Sequence, residues 1–314
     1  MKSVFEKLLK HCVEVYAGKT DRNGLPYILH PLAVMSKVET LPEKIVALAH
    51  DYGEFRDVSE LEAIGVPATL IDKIKLLAKN FPDDVPEDAA SCCDYIWSLL
   101  ADPLCLKVKY ADLMVNNGYE DSPNMDGRRF TGQYPRVVNF LADAVGGKLY
   151  FNSRTLYFDI FSNFHTEPLE INGQIWKSGE HFYQAAKFAK NGLQEDSDIY
   201  NLIVEAETPG IAKRLADENF SEANKQRSHQ ALRTLIAMAT ILNAKFAFGT
   251  PARKRLMQTG DLELIHLSGN DFFWGRNRHG DGNNLLGRAL MQIRDSGSDC
   301  SLVEMLANAG GAYA

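Results

Sequence analysis

The chain has no apolar run long enough to cross a bilayer. Its longest mostly apolar stretch, Leu235 to Leu242, is far short of the roughly 20 residues a membrane-spanning helix needs, so no membrane partner is expected. Cysteine is scarce. The five residues Cys12, Cys92, Cys93, Cys105 and Cys300 are odd in number and lack both the CxxC pairs of a zinc site and the density of a secreted disulfide scaffold, so they are read as reduced packing residues. The opening MKSVFEKLLKHCVEVY carries a charge every few positions and no apolar core followed by small residues, unlike a secretory signal, and a cytoplasmic protein is expected. Cationic excess is missing as well. Net charge is −7, with 16 basic and 22 acidic side chains in residues 1–145 against 18 and 19 in the remainder. Any contact with nucleic-acid phosphate must therefore come from a local basic rim rather than a general attraction.

The 314 residues, 45% hydrophobic and 24% charged, suit two globular domains. Periodicity and turn signals predict an all-helical first half, with helices over Val4–Tyr16, after Pro31, over Pro42–Tyr52, Pro67–Lys79 and Ala89–Leu100, and after Pro135. Loops are expected at Asp21–Gly24, Phe81–Asp84 and Tyr119–Gly132. Gly146-Gly147 is expected to end the last of these helices and divide the chain into domains 1–145 and 146–314. Beyond it, KLYFNSRTLYF suggests a short strand or two, as does LEINGQIW around an Asn172-Gly173 turn. Ser178 is placed to cap a helix running to about Lys190, and Thr208-Pro209 to open another. Glu222–Phe248 has the apolar period of a long central helix, and a last helix is predicted over Asn284–Arg294. The expected fold class is mainly α, with a few short strands in the second half.

Two constellations carry chemistry. In the first half a His-Asp doublet, His50-Asp51 in ALAHDYGE, is preceded by GLPYILHPLAV and followed by Asp112 in VKYADLMVN. On these residues the stretch from about Phe5 to Phe140 resembles the alarmone-hydrolase branch of the HD superfamily, related to SpoT-like enzymes. The resemblance implies a divalent metal held by one histidine, the doublet and a distant aspartate, hence His50, Asp51 and Asp112 here. It also implies a first ligating histidine ahead of the GxPYI segment, where this chain has Tyr16. A phenol with a pKa of about 10 is a poor ligand for a divalent ion at neutral pH. The family's Glu-Asp pair after the doublet is Glu54-Phe55 here. The expectation is a degenerate HD-like domain, kept for docking or sensing rather than hydrolysis, in which His50, Asp51 and Asp112 make a weakened site for a divalent metal.

In the second half Glu180, Gln184 and Lys187 are spaced i, i+4, i+7, which puts them on one helical face, while Phe182, Ala185, Ala186 and Phe188 supply the packing face. A core-facing stripe would be apolar, so the polar face asks for another purpose. The stretch GNDFFWGRNRHGDGNNLLG, Gly269 to Gly287, follows. Its glycines, asparagines and basic residues Arg276, Arg278 and His279 suit a pyrophosphate, with backbone amides from Gly275 onward and a helix start near Asn284. Trp274 offers a flat face for a base, against the alternative of plain core packing.

Four pieces, SNF at Ser162–Phe164, GEHFYQAAKF at Gly179–Phe188, TGD at Thr259–Asp261 and DxxWGxxxxGxGxNxLG from Asp271 to Gly287, make the second half resemble the NADAR (YbiA-like) family. The resemblance implies a mainly helical domain that cleaves N-glycosidic bonds; no His/Cys/Asp cluster with metal-ligand spacing is evident in this half, so no cofactor is expected for it. Such cleavage passes through an oxocarbenium-like state, which a carboxylate near the anomeric carbon stabilises. Glu180 is the candidate, with Lys187 as nucleophile or phosphate cation and Asp271 orienting a ribose hydroxyl or polarising water. Asn163, Gln184, Trp274, Gly275, Arg276, Arg278 and Asn284 are expected to bind substrate. The leading expectation is removal of ADP-ribose from guanine in DNA, as antidote to a DarT-type toxin. Cleavage of riboflavin-synthesis intermediates, a non-catalytic ADP-ribose sensor, and alarmone hydrolysis by the first half are the alternatives.

Overall fold

The structure is a computed structural model that describes residues 1–21, 24–78, 90–117, 135–155, 157–189, 198–223 and 227–301. The chain divides into two compact units, Met1–Gly147 and Lys148–Ala314.

The first unit contains α1 (Lys2–Val15), α2 (Leu29–Ser36), α3 (Leu41–Ala49), α4 (Leu61–Ile64), α5 (Ala68–Leu77), α6 (Ala90–Leu100), α7 (Pro103–Asn116) and α8 (Pro135–Val145). Its centre is α3, whose residues Ile45 to Ala49 are all shut off from solvent. A capping box starts that helix: Thr40 accepts from the Glu43 amide, and the Glu43 carboxylate accepts from the Thr40 amide. Helices α1, α2, α5 and α7 pack around it. Periodicity alone predicts no helix at α7, whose start is set locally. Asp102 accepts from the amides of Leu104 and Cys105, and Pro103 occupies the first helical position, where no amide proton is needed. Among the described residues of this unit the only β pairing is a single bridge, Thr20 to Pro26. The loops expected at Phe81–Asp84 and Tyr119–Gly132 lie outside the described residues, as do Arg22 and Asn23.

In the second unit, β1 (Lys148–Phe151) precedes β2 (Leu169–Ile171), β3 (Gln174–Trp176), α9 (Gly179–Ala186), α10 (Asp198–Glu205), α11 (Pro209–Ala223), α12 (Arg227–Lys245), α13 (Pro251–Gln258), β4 (Glu263–His266) and α14 (Leu285–Ser296). Strands β1 and β4 pair in parallel from Lys148↔Glu263 to Phe151↔His266. Strands β2 and β3 form the hairpin, turned by Asn172 and Gly173 at φ 54° and 78°, the paired left-handed residues of a type I′ turn. Helix α9 is enclosed by α10, α11 and α12. Phe182, Ala185 and Ala186 meet Trp176, Tyr200, Ile203 and the small residues Ala212, Ala216 and Ala237, which permit close helix approach. Two helices differ from expectation. α9 stops at Ala186 rather than near Lys190, because the amides of Lys187 and Phe188 tighten onto the carbonyls of Gln184 and Ala185. The long central helix starts at Arg227 rather than Glu222, since Glu222 and Ala223 belong to the end of α11. No helix among the described residues is long and apolar enough to cross a membrane.

Candidate active site

The start of α9 is built to hold one buried carboxylate. Ser178 caps the helix by accepting from the His181 amide, and its hydroxyl also meets His181 Nδ1 at 2.7 Å. His181 Nε2 lies 3.1 Å from the Ala206 carbonyl, so that nitrogen carries the proton and Nδ1 accepts from Ser178. The Glu180 amide donates to the Asn163 carbonyl at 2.9 Å, tying the SNF segment to the helix. Gly179 is required by packing: a Cβ there would sit 2.9 Å from Ile241 Cγ2 and 3.2 Å from Asn163 Oδ1. Glu180 is 6% exposed, and its Oε1 accepts from Gln184 Nε2 at 2.5 Å. Burial raises its carboxyl pKa, opposed by the Gln184 hydrogen bond and by Lys213 and Lys187. Lys187 shifts the opposite way: burial lowers its pKa, against the pull of Glu180 and Asp217.

These groups line a cavity of about 600 Å³, of the size that takes a nucleotide-sized ligand. Asn163, Glu180, Gln184, Lys187, Asp271 and Trp274 are all in its wall. Asp271 Oδ1 accepts from the amides of Phe273 and Trp274, so a local Asx turn fixes its carboxylate. Trp274 is 6% exposed, packs edge-on against Tyr183 and Phe273, and donates from Nε1 to the Tyr183 hydroxyl at 2.8 Å. It serves as packed wall more than as an open stacking platform.

Gly275, Arg276, Arg278 and Asn284 are not in that wall. The glycine-rich loop spends its polar groups on itself. The amides of Asn283, Asn284, Leu285 and Leu286 donate to the carbonyls of Phe272, Gly275, Phe273 and Trp274, which leaves none of the four to take a pyrophosphate at the start of α14. Asn284, at φ 51°, accepts from the His266 amide and donates to the Leu264 carbonyl, clamping the loop onto β4. Gly275 sits where a Cβ would be 2.7 Å from the His266 carbonyl. Arg276 pairs with Glu263 at 2.5 Å, and the Arg278 guanidinium lies 4.3 Å above the Tyr150 ring. The cations that do reach the pocket besides Lys187 are Arg154, after β1, and Lys213, on α11. Both are exposed. Lys213 and Asp217 are an i, i+4 pair; that spacing on an amphipathic helix was the available signal for them, and nothing local marks Arg154.

The first unit holds a second constellation. Nε2 of His30 and Nε2 of His50 are 3.3 Å apart; Asp112 Oδ1 lies 3.3 and 3.5 Å from them, and Asp51 Oδ2 3.4 and 3.1 Å. Ligands at about 2.0–2.2 Å around one ion are separated by roughly 3–3.6 Å, so these spacings fit a shared cation. His50 Nδ1 lies 2.7 Å from the Ala47 carbonyl, which fixes the proton there and turns the Nε2 lone pair toward the cluster. Among the described residues, His30, His50 and Asp112 form the one group with metal-ligand spacing. The second imidazole of the group is His30 on α2, in the PYILHP segment, rather than a residue at the Tyr16 position. Tyr16 is instead buried against Tyr27 and Phe55, its hydroxyl without a partner. Beside the cluster, the Tyr27 hydroxyl donates to Asp51 at 2.8 Å, and Lys109 and Asn116 donate to Asp112 at 2.8 and 2.7 Å.

Residues 150–296 match the NADAR domain model. The chain is 28% identical over 160 residues to the N-glycosidase YbiA of Escherichia coli, covering 51% of this chain and 92% of that protein. It is 33% identical over 147 residues to an N-glycosidase of Nostoc punctiforme, covering 47% of this chain and 90% of that one. A riboflavin biosynthesis protein of Vibrio vulnificus is 36% identical over 134 residues, which span 43% of this chain and 34% of that one.

Proposed function

Because this chain belongs to the NADAR family through its second unit, we propose that this unit is an N-glycosidase that removes ADP-ribose from guanine in DNA and so reverses the action of a DarT-type toxin. The observation that carries the glycosidase reading is Glu180, a buried carboxylate in the wall of a cavity that Gln184, Lys187 and Asp271 also line. Breaking a ribosyl–nitrogen bond builds positive charge on the ribose ring, and a desolvated carboxylate stabilises it more than one in water would. In this reading Asp271, in the same cavity wall, would orient a ribose hydroxyl or water, and Lys187 would meet the opened sugar or a phosphate. The exposed rim at Arg154, Lys213, Gly269 and Asn270 suits a conjugate whose larger part stays outside the cavity. Cleavage of ADP-ribosylated guanine DNA, followed by mass spectrometry of both products, tests the reading. The second reading is favoured by the name of the Vibrio vulnificus relative, a riboflavin biosynthesis protein: the same groups would act on a smaller phosphorylated ribosyl-pyrimidine.

In both readings the substrate carries phosphate, and Arg154 and Lys213 are the rim cations that would meet it. Replacing both by glutamine is expected to raise KM at least about tenfold for the phosphorylated substrate with kcat within about threefold, as befits groups that bind without acting in the transition state. An unchanged KM in steady-state kinetics would remove them from the substrate site.

Turnover is also expected to survive EDTA, and residues 148–314 alone are expected to keep it, since the Escherichia coli and Nostoc punctiforme relatives match this region over nine-tenths of their length. Activity of that fragment, with and without chelator, checks both points.

For the first unit we propose an HD-like domain in which His30, His50, Asp51 and Asp112 hold one divalent cation, a donor set of imidazole and carboxylate that suits manganese or a related ion. Phe55 leaves Glu54 without an acidic neighbour in sequence, which argues for binding or sensing over rapid hydrolysis.

A further inference from the structure

Lys245, the last residue of α12, is 3% exposed. Its Nζ donates to the Ser162 carbonyl at 2.7 Å and lies 6.0 Å from the centre of the Phe246 ring. Burial pushes its pKa down to about 8, with Glu167 and Asp159 opposing the shift. An ammonium taken out of water is expensive to keep, and one carbonyl is a small return when a methionine of the same length would fill the space. What that carbonyl belongs to explains the expense. Ser162 is joined to Asn163, whose own carbonyl receives the Glu180 amide and whose side chain lines the cavity, held by a 3.3 Å contact from Nδ2 to Met238 Sδ. With Gly179 already leaving no room for a Cβ, a small movement of this peptide moves the first turn of α9.

We infer that Lys245 is a positioning residue: its contact with the Ser162 carbonyl fixes the Ser162–Asn163 peptide and, through it, the start of α9 that carries Glu180. The consequence for turnover rests on the glycosidase reading above. The consequence for the backbone does not.

The test compares Lys245→Met and Lys245→Arg with the unmodified full-length chain. In Lys245→Met, amide hydrogen exchange at Glu180 is expected to accelerate at least about tenfold while exchange at Arg288, in α14, is unchanged. On the substrate that the unmodified protein cleaves, kcat is expected to fall at least about tenfold with KM within about threefold. Lys245→Arg, which keeps a charged donor for the same carbonyl, should recover most of both losses. If Lys245→Met does not fold, Lys245→Leu, which also lacks a donor, carries the same comparison. Unchanged Glu180 exchange and unchanged kcat would overturn the inference. So would losses in Lys245→Met that spread equally to Arg288, because they would mark a general packing role. Absence of turnover in the unmodified protein would strike the glycosidase reading alone, because the exchange measurement stands without it.

Discussion

Glu180→Gln is expected to lower kcat at least about a hundredfold while leaving KM and ADP-ribose binding within about threefold. The substitution keeps the shape of the side chain and removes the charge that the developing oxocarbenium needs. The pH behaviour separates this from a folding defect. Burial raises the Glu180 carboxyl above its ordinary 4.5, so between that value and the raised one the folded chain holds a proton the unfolded chain has released. Stability contributed by this group therefore falls as pH rises through that window. Glu180→Gln removes the penalty, and above the window it is expected to be at least as stable as the unmodified protein in thermal melts. Turnover of the unmodified protein should rise with pH over the same range, as the carboxylate forms. Near-normal turnover by Glu180→Gln would remove Glu180 from catalysis.

The second large effect concerns the first unit. His30→Ala is expected to weaken manganese affinity at least about a hundredfold in calorimetric titration, because it deletes one of two imidazoles that converge on the carboxylates of Asp51 and Asp112. Tyr16→Phe is expected to leave the affinity unchanged, since the phenol is packed among Tyr27 and Phe55 with no bond to lose. Equal affinities in His30→Ala and the unmodified chain would show that the four side chains converge without holding an ion.

The two units were legible to different depths, and for physical reasons. Glu180, Gln184 and Lys187 could be grouped from spacing alone because helical periodicity brings residues one or two turns apart onto one face. Asn163 and Asp271 came from the motif resemblance, and the fold brings both to the same cavity. The loop from Gly269 to Gly287 misled in one respect. Glycines and asparagines serve equally to cradle an anion and to let a loop satisfy its own backbone, and the pairing of the Asn283 to Leu286 amides is invisible in composition. Lys213 and Asp217 were missed because one ion-pair spacing on a helix is common on solvated faces. His30 has no local signal as a ligand, because the resemblance puts the first histidine ahead of GLPYILHP rather than inside it, and α7, which brings Asp112 to the cluster, has only a weak apolar stripe. Lys245 has no sequence signature at all: a lysine ending a helix ordinarily faces water.

The substrate of the Glu180 pocket is decided by product analysis. The full-length protein, incubated with ADP-ribosylated guanine DNA and in parallel with phosphorylated ribosyl-pyrimidine intermediates, is read by mass spectrometry of the products. The expected result is restored guanine DNA and free ADP-ribose, with Glu180→Gln inert on the same substrate. Release of the pyrimidine base alone would transfer the site to riboflavin intermediates, and no cleavage of either would contradict the glycosidase account.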